Sequence, residues 1–80
     1  MPAALHKPEY VRLRQLLVEA RERAGLTQVQ VAQKLQKAQS FVSKYELGER
    51  RLDVIDFMHV CASLGVDPAD LLRQIAKSRK

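Results

Sequence analysis

A single cysteine, Cys61, leaves this 80-residue chain unable to form an internal disulfide. That fits a reducing cytosol without demanding one. Long apolar runs are missing too. The longest stretches, "LLV" and "HVCASLGV", fall far short of the roughly 20 residues that span a bilayer. The opening "MPAALHKPEY" has no apolar h-region of the kind a secretory signal needs. A cytoplasmic protein with no membrane partner is therefore expected. No window alternates with period two over five residues, so no strand is expected either. Repeats, low-complexity runs and internal linkers are absent, and this length allows one domain with one modest core. Residues 1–80 read as a single domain whose core runs over about 8–77.

Catalytic and metal-binding patterns are equally scarce. No Ser or Cys has a general base at readable spacing, no glycine-rich phosphate loop occurs, and a chain this short offers little room for a substrate cleft. His59 and Cys61 lie close in sequence, but two residues apart on a helix they project about 200° from one another. They cannot share an ion, and no second cysteine exists. Cys61 reads as a core thiol and His59 as a surface side chain. No enzyme activity and no cofactor are expected.

What the chain does have is uneven charge, with a net value of +5. Residues 7–23 carry five basic and three acidic side chains, and residues 34–51 carry five basic and two acidic. Residues 53–70 hold Asp53, Asp56, Asp67 and Asp70 with no Lys or Arg, before Arg73, Lys77, Arg79 and Lys80 restore positive charge. Such a pattern favours separate basic and acidic faces, and a basic face invites a polyanion.

Helix punctuation divides the chain into five. Pro8 suits a first helical position and Glu9 the positive end of that helix. Leu13, Leu17, Ala20 and Ala24 recur at helical spacing, with Arg12, Arg14, Arg21 and Arg23 on the flanks, and Gly25 stops the helix. Arg12 and Arg14 read as plain surface charge. Thr27 caps a second helix that turns Val31, Ala32 and Leu35 inward. Gln36, Lys37 and Ala38 break it, and a third helix from Gln39 or Ser40 directs Val42 and Tyr45 inward until Gly48. Asp53 caps a fourth, with Val54, Phe57, Cys61 and Leu64 inward and Gly65 at its end. Asp67 caps a fifth, with Pro68 first and Leu71, Leu72 and Ile75 along its buried edge. The fold class is all-α: a compact bundle of five helices.

Neither helix of residues 27–46 is long enough to stand alone, since isolated helices under about 12 residues are marginal in water. Two short helices joined by about three residues match the helix-turn-helix unit, whose second helix enters the DNA major groove. The outward residues of that second helix, Gln39, Ser40, Phe41, Ser43 and Lys44, are types that read base edges. Gln suits adenine, Lys guanine, Ser either, and an apolar ring a thymine methyl.

"GLTQVQVAQKL", "SFVSKYELGERR" and "CASLGVDPADLL" together resemble the Cro/C1-type helix-turn-helix family, which includes the lambdoid phage repressors and many small bacterial regulators. The resemblance covers residues 13–72. It implies a five-helix domain that binds double-stranded operator DNA as a homodimer and acts as a transcriptional regulator. It also implies a pairing of Gln28 with Gln39, one glutamine holding a phosphate while the other reads a base, and an ion pair between Arg21 and Glu46. Ser40, Ser43 and Lys44 fall on positions that touch bases or nearby phosphates, and Arg50 and Arg51 fall in a loop that tracks the backbone. Phosphate contacts are expected from Thr27 and Gln28 at a helix N-terminus, from Lys37, and from Arg50 and Arg51. The chain departs from the family at Gln36, where glycine is common. Gln36 must then accept a left-handed backbone, or the turn must differ. The family's proline after the loop arginine is also absent, with Leu52 nearby instead. One alternative stays open: an antitoxin or adaptor whose main partner is a toxin-like protein.

Overall fold

The computed structural model describes residues 7–77; Arg79 and Lys80 lie outside that range. Five helices follow one another: α1 (Pro8–Arg23), α2 (Gln28–Leu35), α3 (Gln39–Leu47), α4 (Val54–Leu64) and α5 (Pro68–Lys77). No strand occurs among the described residues. Nor is any helix among them long and apolar enough to cross a membrane.

The ends of the helices follow local chemistry. Thr27 Oγ1 accepts from Gln30 N at 3.1 Å, while Gln30 Oε1 accepts from Thr27 N at 2.9 Å. This reciprocal capping box satisfies two N–H groups that the first turn of α2 cannot satisfy itself. Asp53 Oδ1 accepts from Asp56 N at 2.7 Å and starts α4 in a similar way. After α1, the amide of Leu26 reaches back to the Arg21 carbonyl at 3.1 Å, which folds Leu26 against the core.

Leu17, Val31, Val42, Tyr45, Val60 and Cys61 form the fully buried centre, flanked by Leu16, Ala20, Ala32, Phe41, Phe57, Leu64 and Leu71. Burial raises the pKa of the Cys61 thiol to about 11 and pushes the Tyr45 phenol up as well. Both stay protonated in the core at neutral pH.

Several inward positions differ from the periodic reading. Val54 is 72% exposed, because it is the first residue of α4 and the stripe there outruns its packing partners. Val60 takes its place in the core. Leu16 is buried where Ala24, the C-cap of α1, is exposed. On α5, Leu72 faces out, 55% exposed, leaving Leu71 and the half-buried Ile75 as the inner edge. His59 is exposed, as its helical position requires.

Candidate nucleic-acid interface

The turn between α2 and α3 decides where α3 points. Gln36 sits at φ 58° and ψ 42°, a left-handed conformation, so the family's glycine-type turn is kept without glycine. Such a conformation costs an L-residue about 1–2 kcal/mol. That cost is offset locally by the Lys37 amide, which donates to the Ala32 carbonyl at 2.9 Å and closes the end of α2.

α3 buries Phe41, Val42 and Tyr45 and runs one residue beyond Glu46, to Leu47. The outward Phe41 expected from spacing is corrected here. Its ring is only 9% exposed and meets Tyr45 edge-to-face at 5.8 Å between centroids. Lys37 Nζ lies 5.3 Å and Arg50 Cζ 4.8 Å from the Phe41 ring centroid, within cation–π range. Phe41 is therefore turned mostly into the core, and Lys37 and Arg50 lie over its small exposed margin. It draws a turn lysine and a loop arginine from either end of α3 onto one ring.

Gln39, Ser40 and Lys44 are exposed and Ser43 is half-buried. Thr27, Lys37, Arg50 and Arg51 are exposed too, and Gln28 is half-buried. The N-cap of α3 is Ala38, which offers no side-chain hydrogen bond to the first amides of the helix.

Beneath this surface runs a chain of hydrogen bonds. Gln39 Nε2 donates to Gln28 Oε1 at 3.0 Å, and Gln28 Nε2 donates to Glu46 Oε1 at 2.9 Å. Arg21 grips the same carboxylate with both arms of its fork, Nε to Oε2 at 2.7 Å and Nη2 to Oε1 at 3.1 Å. A third guanidinium nitrogen, Nη1, donates to the Leu26 carbonyl at 3.0 Å. The side chain of Glu46 is 6% exposed and that of Arg21 is 15% exposed. The hydrogen bond to Glu46 is the main reason the Arg21 pKa is raised, against the opposing pull of desolvation.

Two residues of α1 do more than spacing alone suggests. Arg14 is not plain surface charge. Its Nη1 lies 3.4 Å from the Glu46 carbonyl, and its guanidinium covers Gly48, where an added Cβ would stand 2.7 Å from Cζ. A cation at the C-terminal end of α3 also suits the helix dipole. Arg14 and Arg21 are seven residues apart, two turns on one side of α1, and that spacing was the available signal. Tyr10 is the second: its hydroxyl accepts from Leu52 N at 2.6 Å and ties the loop after α3 to α1. No pattern in the sequence marked it. Among the described residues no group of His, Cys, Asp or Glu could hold a metal ion.

Five packed helices, the second and third joined by a tight turn, define a helix-turn-helix domain. A family model described as "Helix-turn-helix" matches residues 17–71, and the chain belongs to that family, in its XRE or Cro/C1-type branch. DNA-binding regulation is the general function that goes with this membership. An XRE-family like protein from Pseudomonas syringae pv. tomato is 47% identical, covering 96% of this chain and 94% of its own, with a TM-score of 0.89. The restriction-modification controller protein C.AhdI from Aeromonas hydrophila is 26% identical over 81% of this chain and 98% of its own, TM-score 0.73. The clp gene regulator ClgR from C. glutamicum shares the fold at 24% identity, TM-score 0.79, over 92% of this chain and 96% of its own. No curated protein sequence matches.

Proposed function

We propose that the chain is a transcriptional regulator that binds an inverted-repeat operator as a homodimer. Gln39, Ser40, Ser43 and Lys44 read base edges in the major groove. Thr27, Gln28, Lys37, Arg50 and Arg51 hold phosphates on either side. The observation that carries this reading is the Gln39–Gln28 hydrogen bond at 3.0 Å, which joins the exposed starts of two helices. It leaves Gln39 with an acceptor and a donor for a base. The regulatory role also suits a relative described as a controller protein.

A dimer is favoured by information content, because one recognition helix reads only about four base pairs. The apolar surface for it is the groove lined by Leu13, Leu52, Val54, Phe57, Leu72 and Ile75, together with exposed Ile55 and Met58 nearby on α4. Val66 is not part of this surface, since it packs against the core. Selection of bound duplexes from a random pool tests the reading. It should return two copies of one short site, inverted and about 34 Å apart. Recovery of single, asymmetric sites would remove the dimer and leave a monomeric reader.

A further inference from the structure

The carboxylate of Glu46 lies two hydrogen bonds away from the outermost amide of α3, and it has only acceptors. Arg21 fixes it in place with two bonds, at 2.7 and 3.1 Å. The amide of Gln28 can therefore meet Glu46 only through its nitrogen, which lies 2.9 Å away. Its oxygen is then turned towards Gln39. That oxygen can meet only the nitrogen of Gln39, at 3.0 Å. Each link dictates the direction of the next, so the orientation of the Gln39 amide is decided at Arg21 and Glu46.

The consequence falls on base choice. With one N–H engaged by Gln28, Gln39 presents an oxygen and one remaining N–H outward. Adenine offers the matching N6 donor and N7 acceptor in the major groove, whereas guanine offers two acceptors, O6 and N7. An amide locked in this direction sets its oxygen against the guanine O6. An amide free to turn over could instead direct both N–H groups at guanine. We propose that Arg21 and Glu46 are positioning residues for base selection, which set the preference of Gln39 for adenine over guanine through the amide of Gln28. This rests on the reading of α3 as the base-reading helix. Gln28 also keeps a second N–H beyond the one given to Glu46, so the same side chain can hold a phosphate while it relays orientation.

The test is a competition assay with the duplex selected by the wild-type protein, its half-site adenine at the Gln39 position replaced by guanine. Gln39→Ala identifies that position as the one where discrimination collapses. Glu46→Gln removes the acceptor-only end of the chain and lets both amides turn over. Gln28→Met cuts the relay while leaving Arg21–Glu46 intact, so it keeps the fold should Glu46→Gln lower stability. Both variants should lower the adenine-over-guanine ratio by about tenfold, with a smaller change in affinity for duplexes altered elsewhere. Were Glu46 only a structural anchor, Glu46→Gln would weaken every duplex alike and Gln28→Met would leave the ratio unchanged. That pattern overturns the proposal. A Gln39→Ala variant that keeps the wild-type preference at every position would instead overturn the assignment of α3 as reader.

Discussion

Phe41 shows what a single side chain does when its burial and its neighbours are both known. The ring is anchored on Tyr45, and its exposed margin carries Lys37 and Arg50 at 5.3 and 4.8 Å. Two flexible cations from separate loops thereby lose some freedom before any phosphate arrives, which reduces the ordering cost at binding. Each exposed cation–π contact is worth about 0.5–1 kcal/mol. Phe41→Leu keeps an apolar side chain in the core and removes the ring, so the fold should survive with a loss of about 1 kcal/mol. DNA affinity should fall by up to about tenfold on all duplexes, if most of both contacts is transmitted to binding. Equilibrium binding to selected and random duplexes reads this out. A loss confined to duplexes with one particular thymine would return Phe41 to the base-reading set. Spacing alone could not place this ring, because a nine-residue helix wedged against α2 buries two adjacent positions, Phe41 and Val42, where a single stripe would bury one.

At the scale of elements, the number, order and approximate limits of the helices were readable from caps and glycines. Thr27, Asp53, Gly25, Gly48 and Gly65 all stand where the helices start or stop. What could not be read was which end of each stripe has something to pack against; Val54 and Leu72 were misplaced for that reason. The direction of the α2–α3 turn was also open, since Gln36 is compatible with more than one backbone. Its left-handed conformation and that of Gly48 make opposite predictions. Gln36→Gly removes about 1–2 kcal/mol of backbone strain and adds about 0.5–1 kcal/mol of lost chain freedom, a net gain of about 0.5–1 kcal/mol. Gly48→Ala, at φ 80°, brings strain and also displaces the Arg14 guanidinium from its seat. It should cost about 1–2 kcal/mol. Urea unfolding of the two variants beside wild type decides the matter. A Gln36→Gly protein less stable than wild type would mean that the Gln36 side chain contributes more than its backbone costs.

For the whole molecule, function depends on how far the base-facing residues are held by what lies beneath them. The sequence resemblance was enough to single out the Gln28–Gln39 and Arg21–Glu46 pairs separately. It did not indicate that Gln28 joins them, because that depends on the tilt of α3 against α1 and α2, a tertiary quantity. Arg14, Arg21 and Tyr10 all extend from α1 to α3 or the loop after it, so the first helix acts as the brace for the reading surface. The acidic side chains Asp53, Asp56, Asp67 and Asp70 are gathered instead at the starts of α4 and α5. The molecule should therefore approach DNA in one orientation, with its α2–α3 surface forward. Titration of the isotope-labelled protein with its selected duplex, followed by amide chemical shifts, tests this most directly. The largest changes should fall at residues 27–28, 37–44 and 50–51. Changes concentrated instead over residues 54–72, with the start of α3 unmoved, would contradict it.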